Sequence, residues 1–291
     1  MNNIYNITVS SINSIRYNLT EPIMLRIARE KYQSLYDQQD KNPLVSVYIP
    51  TYNRANILME KAVPSVLNQT YNNIELIIVG DCCTDDTEAL VSEIKDERVK
   101  FYNLLNRGYR YPPTAENHWL AGPVVAANMG LNLVSGKWIA RIDDDDIWTI
   151  DHIEILLKFA IKFDYEFVSA QHIEERHGKR QVAKIFGAKD SYYTRSDRPV
   201  MGYNPKICGT QTWLYRSYLR FFKYNIHCWR KNWNRVNDID LSIRMFRSNV
   251  RMGFLEQVVA YVLPRPGEET VGLDAYLSQE KEKIETYKFV K

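Results

Sequence analysis

The chain has 291 residues, of which 45% are hydrophobic and 25% charged, and its formal net charge is +3. These values are ordinary for a globular protein, and the charge is too small to indicate a nucleic-acid-binding protein. The length suffices for one large domain or two closely packed lobes. No run of about 18 apolar residues predicts a membrane-spanning helix, and residues 1–16 lack the apolar core of a signal peptide.

The four cysteines, Cys82, Cys83, Cys208 and Cys228, form no Cys-x-x-Cys pair and no cluster with histidine at zinc-ligand spacing. We therefore interpret them as reduced thiols, which predicts a cytoplasmic protein. Basic and aromatic residues are concentrated at 216–231. That stretch is consistent either with peripheral contact to the inner face of a membrane or with a solvated basic surface.

Residues 21–37 have apolar side chains at helical spacing, so we interpret residues 1–43 as an N-terminal helical extension. Beyond residue 43, strands are predicted at 44–49, 74–79, 99–102 and 137–142. Helices are predicted between them, at 55–67, 85–95 and 124–134. Such alternation indicates an α/β fold, with a mostly parallel central sheet covered by helices on both faces.

The pattern also suggests a division of the chain. We assign a nucleotide-sugar-binding half to residues 44–148 and an acceptor or catalytic half to residues 149–265. The second half contains predicted helices at 151–162 and 238–248 and a strand at 167–173. Residues 266–291 are predicted to form a helical C-terminal tail.

Four consecutive aspartates, at 143–146, follow the predicted strand at 137–142. Carboxylates this close repel each other, so a bound cation should offset their negative charge. A hard divalent ion, whose coordination shell a diphosphate completes, fits best. Asp81 also follows a predicted strand, and ligands bind beyond the carboxyl ends of parallel strands. The run therefore predicts a nucleotide-phosphate site, and its apolar flanks disfavour the alternative of a solvated acidic turn.

Seven motifs then occur in a fixed order. They are Pro-Thr-Tyr-Asn-Arg at 50–54, Gln-Thr-Tyr at 69–71, Glu-Leu-Ile-Ile-Val-Gly-Asp at 75–81, Thr-Asp-Asp-Thr at 84–87, Asn-Met-Gly at 128–130, Ser-Gly at 135–136 and the aspartate run. Together they resemble the family 2 glycosyltransferases, which have the GT-A fold. The resemblance is close over residues 44–150 and looser to about residue 265.

The resemblance implies a hexosyltransferase-like enzyme that moves a sugar from a nucleotide diphosphate sugar to a hydroxyl group. A UDP-sugar donor, inversion of configuration and a divalent metal, Mn²⁺ or Mg²⁺, are typical of the relatives. The acceptor would be a glycan or a lipid-linked sugar in the synthesis of surface polysaccharide or glycoconjugates.

The resemblance also implies site residues. The nucleotide would be bound by Pro50, Thr51, Tyr52, Asn53, Asp81, Arg107, Asn128, Asp143 and Asp145. Asp81 would accept a hydrogen bond from the base, although a turn-capping role is the alternative. Asp145 and Asp146 would hold the metal, with Asp145 also near the ribose.

The catalytic base implied by the resemblance is Asp238, which opens a predicted helix and would take the proton of the acceptor hydroxyl. The alternative is that Asp238 caps this helix. Asp240 and Trp213 are weaker candidates for contact with the acceptor or the sugar. Asp238 and Asp240 are about 200° apart on a helix, so only one of them should face the site.

The chain departs from the family pattern at two positions. Cys82 replaces the usual glycine after Asp81, and Ala127 replaces an arginine that helps hold the diphosphate in many relatives. Arg107 or Arg110, in an inserted loop at 106–123, would supply the missing charge. This loop, with its Tyr-Pro and Trp119, resembles that of one subgroup of the family, and the alternative is a packed surface loop.

Two other functions compete with transfer. A nucleotidyltransferase on the same fold is disfavoured, because residues 50–54 are not a glycine-rich phosphate loop. A non-catalytic nucleotide-sugar-binding protein is the second alternative, and the alanine at 127 is the observation behind it.

Overall fold

The computed structural model describes residues 2–37, 40, 42–108, 110–187, 192–195, 198–201 and 205–279. Eleven strands lie within these ranges. In chain order they are β1 (Val45–Thr51), β2 (Ile74–Gly80), β3 (Val99–Asn103), β4 (Trp138–Arg141), β5 (Asp146–Trp148), β6 (Phe167–Arg176), β7 (Lys179–Val182), β8 (Tyr192–Arg195), β9 (Arg198–Met201), β10 (Leu214–Arg216) and β11 (Met252–Val262).

Nine of the described strands form one mixed sheet in the order β3-β2-β1-β4-β10-β6-β11-β5, with β7 paired to β6. Strands β3, β2, β1 and β4 are parallel, as are β6 and β11. The short strand β10 is antiparallel to both β4 and β6 and so joins the two parallel groups. Strands β8 and β9 pair separately as an antiparallel hairpin. The predicted mostly parallel α/β sheet is confirmed.

The helices of the described residues are α1 (Asn2–Tyr32), α2 (Ser34–Asp37), α3 (Ala55–Ile57), α4 (Val63–Leu67), α5 (Thr87–Ser92), α6 (Ala115–Ala121), α7 (Val124–Leu133), α8 (His152–Lys162), α9 (Asn237–Arg247) and α10 (Leu273–Ser278). A π-helical segment, Leu58–Ala62, separates α3 from α4. The single helix predicted at 55–67 is therefore three segments, and Pro64 lies in the first turn of α4, where a proline is tolerated.

Successive side chains of β1 and β2 enter two different cores, because neighbouring residues of a strand point to opposite faces. Tyr48 and Ile77 belong to the core that also contains Leu131 of α7. Val47 and Ile78 belong to the core on the other face. Helices thus cover both faces of the sheet, as the continuous apolar runs in these strands predicted.

The N-terminal extension is helical, as predicted, but α1 begins at Asn2, well before the periodic segment. It packs on α9 and on two 3₁₀ helices, Ser217–Phe221 and Cys228–Arg230. Arg29 holds it to the sheet, donating to both carboxylate oxygens of the buried Glu166 at 2.6 Å. The extension is consequently an integral part of the fold.

One continuous sheet takes strands from both predicted halves of the chain, and the proposed division at residue 148 stays a prediction. In the C-terminal tail α10 occupies Leu273–Ser278, while residues 280–291 lie outside the described part. Within the described residues, none of the helices combines the length and apolarity needed to cross a bilayer.

Candidate active site

Two adjoining cavities, of about 590 Å³ and 320 Å³, open at the carboxyl ends of the parallel strands. The larger, called here the first cavity, lies beyond β1 and β2. The smaller, the second cavity, lies towards β6 and the start of α9. Both are lined by Asp143, Asp145 and Arg265. Ligands in the two cavities would therefore meet at the aspartate run, which is the position that the sequence predicted for a binding site.

Residues 50–53 form one wall of the first cavity. They continue β1 into a turn in which Asn53 has a positive φ of 49°, a conformation that asparagine tolerates better than most residues. The Asn53 side chain holds the next loop: its Nδ2 donates to Thr84 Oγ1, and its Oδ1 accepts from the Thr84 amide at 2.8 Å. The structure thus places Pro50, Thr51, Tyr52 and Asn53 together, and their contact with a nucleotide stays a prediction.

Asp81 lies at one end of the first cavity and is buried, with 2% of its surface exposed. Its carboxylate accepts hydrogen bonds from two arginines. Arg110 donates from both Nη atoms at 2.7 Å, one to each oxygen, and Arg107 donates from Nε at 3.0 Å. The Arg107 guanidinium also lies 3.5 Å from the centre of the Tyr52 ring. These two arginines therefore lie at the Asp81 end, not at the aspartate run.

The four aspartates do not continue the strand. Strand β4 ends at Arg141, and a turn in which the Asp146 amide donates to the Asp143 carbonyl separates it from β5. The run is therefore a turn and not an extended strand, in which successive side chains would point to opposite faces. Asp144 turns back to β1, where it accepts from Thr51 Oγ1 at 2.8 Å.

Arginines neutralise three of these carboxylates. Arg141 pairs with Asp143 at 2.7 Å, and Arg54 pairs with Asp144 at 2.9 Å and Asp145 at 3.3 Å. Arg265 reaches Asp145 at 3.7 Å.

Asp146 forms no ion pair with any residue in the described part of the chain. Burial, followed by repulsion from the other three aspartates, raises its pKa well above the ordinary value. The ionised form of Asp146 is therefore disfavoured in this environment, and a cation bound beside it would stabilise that form.

No group of three His, Cys, Asp or Glu side chains within the described ranges would hold a metal ion by itself. Asp145 and Asp146 nevertheless fit a hard divalent ion that shares its coordination with a bound diphosphate. Both supply carboxylate oxygens to the second cavity, and such oxygens are the donors that Mn²⁺ and Mg²⁺ prefer.

The first cavity also has a basic side. His118, on α6, is half-buried beside it, and its Nδ1 lies 2.9 Å from the Tyr111 hydroxyl. Desolvation, followed by the charges of Arg107, Arg54 and other nearby arginines, lowers the pKa of His118 to about 3. Arg54, Arg107 and Arg265 line the same cavity, and their charges suit an anionic ligand such as a diphosphate.

Asp238 lies in the first turn of α9 and lines the second cavity with Asp143 and Asp146. The helix begins at Asn237, and Val236 is its N-cap, so Asp238 is not the capping residue that the alternative required. Its Oδ1 accepts from the Ile239 amide at 2.7 Å. Burial raises the pKa of Asp238, although Arg141 opposes this, and a raised pKa makes the carboxylate a stronger base.

Three predicted site residues, Trp213, Asp240 and Asn128, line neither cavity. Trp213 is fully buried in the core, its indole N–H donating to the Cys208 carbonyl, so it does not stack on a sugar. Asp240 is buried on another face of α9, paired with Lys231 and Arg244.

The amide of Asn128 is used by the backbone of Tyr224, donating to its carbonyl at 2.9 Å and accepting from its N–H at 2.8 Å. It lines neither cavity and braces a loop instead. The segment 216–231 is likewise not a surface patch, because its aromatic residues Tyr218, Phe222, Tyr224 and Trp229 are buried.

The inserted loop at 106–123 is both packed and part of the site wall. It contains α6, whose N-cap Thr114 accepts from the Asn117 amide. Tyr111 is fully buried, whereas Trp119 lines the second cavity. Some residues of this loop are therefore packed in the core and others line a cavity, and the resemblance to the loop of one subgroup stays a prediction.

Sequence reasoning missed Arg54, Arg141 and Arg265 as partners of the aspartates, and His172 in the wall of the second cavity. Arg54 lies inside the Pro-Thr-Tyr-Asn-Arg motif, so its position was a usable signal. Arg141 lies two residues before the aspartates, and a charged residue in a predicted strand was a second signal. Nothing in the sequence distinguishes Arg265 or His172 from other residues.

Comparisons with known proteins agree with the fold described above. The profile of Glycosyl transferase family 2 matches residues 46–222. An uncharacterized glycosyltransferase of Rickettsia felis is 39% identical over 135 residues, covering 45% of this chain and 20% of that protein. The Escherichia coli UDP-Glc:alpha-D-GlcNAc-diphosphoundecaprenol beta-1,3-glucosyltransferase WfgD is 33% identical over 125 residues, covering 43% of this chain and 44% of that protein. The matches span less than half the length of these relatives.

Two solved structures share the fold. S. aureus TarS 1-349 in complex with UDP-GlcNAc superimposes with a TM-score of 0.55 at 18% identity, covering 77% of this chain and 60% of that one. Mannosyltransferase PcManGT from Pyrobaculum calidifontis, in complex with GDP-Man and Mn²⁺, gives 0.53 at 16%, covering 92% and 70%. At this identity the likeness supports the fold alone, and it confirms the GT-A architecture. Because the family profile also covers more than half of the chain, the protein belongs to glycosyl transferase family 2.

Proposed function

We propose that this chain transfers a sugar from a nucleotide diphosphate sugar to a hydroxyl group of an acceptor. The nucleotide would occupy the first cavity and the acceptor the second. The observation that carries the proposal is the shared boundary: Asp143 and Asp145 line both cavities, so a sugar attached to a nucleotide in one would face an acceptor in the other.

The charges along the first cavity favour one orientation of the nucleotide. The base would lie at the end formed by Tyr52, Asp81 and Arg107, where an aromatic ring and a carboxylate are both present. The diphosphate would lie near Arg54 and Arg265, which would take over the role of the arginine absent at Ala127. We favour a UDP-sugar, because one relative is named for UDP-Glc.

Asp145 and Asp146 would hold a Mn²⁺ or Mg²⁺ ion together with the diphosphate. Such an ion, when bound, stabilises negative charge on the leaving diphosphate. Arg54 and Arg265, which both pair with Asp145, would add to this stabilisation. Because both guanidinium groups are already in place, little rearrangement is needed as negative charge develops on the diphosphate. Donors preorganised in this way lower the activation barrier.

Asp238 would act as the general base. It would accept the proton of the acceptor hydroxyl while that oxygen bonds to the anomeric carbon and the bond from this carbon to the phosphate oxygen breaks. A single displacement of this kind inverts the configuration. The raised pKa of Asp238 favours the proton transfer.

The acceptor class follows from the relatives. WfgD is named for a diphosphoundecaprenol-linked acceptor, and a second relative, from Campylobacter jejuni, for a PP-undecaprenol-linked one. We therefore propose a lipid-linked sugar of surface polysaccharide synthesis as the acceptor, used in the cytoplasm at the inner face of the membrane. The four free cysteines are consistent with that compartment.

Release of nucleoside diphosphate from a panel of nucleotide sugars, with and without Mn²⁺, tests the proposal. Asp238→Asn should lower transfer at least about a hundredfold while leaving nucleotide binding intact, since a general base contributes about 10²–10⁴-fold. Asp96→Asn, which removes a carboxylate paired with Arg98 outside both cavities, is the matched control. Asp146→Ala should abolish the metal-dependent part of the activity.

Full activity of Asp238→Asn would refute the assignment of the base, and full activity of Asp146→Ala the assignment of the metal. Binding of nucleoside diphosphates without turnover of any donor would favour a non-catalytic binding protein instead. A thermal shift assay with the same nucleotides would detect that outcome.

A further inference from the structure

The side of α1 that faces away from the protein is apolar. Ile12, Ile15, Leu19 and Ile23 follow each other at intervals of three and four residues, which places them on one face of a helix. Their exposed fractions are 59%, 59%, 65% and 52%. We call these four side chains the α1 stripe. Large aliphatic side chains are usually singly scattered on a protein surface, so a continuous row of four indicates a binding surface.

The opposite side of α1 is firmly attached, so the stripe has a fixed orientation. Glu21 is buried in an ion pair with Arg244 of α9, and the Tyr17 ring lies 4.2 Å from the same guanidinium. Arg29 is bonded to Glu166 further along the helix. Rotation of α1 to bury the stripe against its own sheet would break all three contacts.

The charges beside the stripe identify its partner. Among the side chains of α1 that the structure describes, the exposed ionic ones are Arg16, Arg26, Glu30 and Lys31, with a net charge of +2. The other acidic residue of the helix, Glu21, is buried. A second copy of the chain docked on the stripe would therefore bring two surfaces of net positive charge together. An anionic lipid surface has the complementary charge, because basic residues are attracted to acidic headgroups.

We propose that the α1 stripe is a membrane-docking surface, on which α1 lies in the plane of an anionic lipid bilayer with Arg16 and Arg26 at the headgroups. This inference deepens the proposed function, since it supplies the contact that a lipid-linked acceptor requires. The helix is also connected to the acceptor side of the site. Its first turns contact the 3₁₀ helix Cys228–Arg230, and Cys228 bonds to the carbonyl of Leu120, the neighbour of the cavity residue Trp119.

Flotation with lipid vesicles tests the proposal without requiring turnover. The full chain should float with vesicles that contain phosphatidylglycerol, and less with vesicles of phosphatidylcholine alone. Ile15→Glu/Leu19→Glu should reduce the bound fraction at least about tenfold, because it places two charges in the buried face of an interfacial helix. Ile161→Glu, at a 52% exposed isoleucine of α8, is the matched control and should float normally.

Arg16→Gln/Arg26→Gln should weaken binding to the anionic vesicles and remove much of its dependence on salt. Both double variants alter exposed side chains, so their thermal midpoints should equal that of the unchanged chain. Failure of the unchanged chain to float would overturn the inference. So would a dimer in light scattering that Ile15→Glu/Leu19→Glu converts to a monomer.

The two proposals fail separately. A protein that transfers sugar to a soluble acceptor analogue but does not float overturns only the membrane-docking inference. A protein that floats but uses no donor overturns only the proposed function.

Discussion

Glu75 on β2 shows how a motif of the family can serve the fold. Its Oε1 accepts hydrogen bonds from Ser46 Oγ at 2.5 Å and from the amide and hydroxyl of Ser135 at 2.8 and 2.7 Å. Its Oε2 accepts from Lys100 at 2.7 Å. The carboxylate thereby ties β1 and β2 to the turn that leads into β4 and the aspartate run. We expect Glu75→Gln to destabilise the protein strongly.

The magnitude follows from the pKa. Burial alone would raise the pKa of Glu75, but the bonds from Lys100, Ser46 and Ser135 outweigh it and lower the pKa from 4.5 to about 2. A shift of about 2.5 units corresponds to about 3 kcal/mol of stability, which is present above pH 4.5 and lost as the pH falls through 2. Because Lys100 is exposed and screened, we expect Glu75→Gln to cost about 2–3 kcal/mol at pH 7.

Urea unfolding of both proteins between pH 7 and pH 3 measures this. The difference in unfolding free energy should shrink by about 2 kcal/mol over that interval, because Glu75 becomes protonated in the unfolded chain while it stays ionised in the folded one. Glu97→Gln removes the same charge from an exposed position and should change stability by less than about 0.5 kcal/mol. A small effect at pH 7, or a large one that does not depend on pH, would refute the role given to the charge.

Three further changes test other contacts. Gly130→Ala should cost about 1–3 kcal/mol in urea unfolding, because the added Cβ would lie 2.7 Å from Cδ2 of the buried Tyr48, and a neutral result would show that the core can yield there. Cys82→Gly should stabilise by about 0.5–1 kcal/mol, since Cys82 has a φ of 62° that glycine adopts without strain; a lower melting temperature would contradict this. Arg110→Met should tighten binding of UDP, measured by calorimetry, by several-fold, because it frees Asp81 Oδ1 for the base while Arg107 keeps its bond to Oδ2; weaker binding would mean that Arg110 itself contacts the nucleotide.

The regular elements of the first half were predictable because their signals are local. Continuous apolar runs predicted β1 and β2, and the change from apolar residues to aspartates after Ile142 located the aspartate run. Helix α1 was predicted only in part, because the apolar residues of its first half are exposed and do not indicate a face buried against the rest of the fold. Strand β5 was missed because three residues carry too little pattern to separate a strand from a loop.

The site residues divide in the same way. Motifs located Asp81 and Asp143 at the cavities because both directly follow predicted strands, and Asp238 because it lies in the motif that opens α9. Arg265 was missed because its partner, Asp145, is far away in the sequence. Trp213 was misplaced because its neighbours in the sequence do not reveal that it packs against Phe167 in the core.

Helix α1 also bears on the orientation of the proposed base. Asp238 and Asp240 are separated by about 200° around α9, so the rotation of this helix decides which of them faces the second cavity. Arg244 fixes that rotation, since it binds Asp240 on its own helix and Glu21 on α1. The buried charges of Asp240 and Glu21 need this shared guanidinium, because an unpaired buried carboxylate is strongly destabilising. The contact that attaches α1 thus keeps Asp240 away from the site and leaves Asp238 facing it.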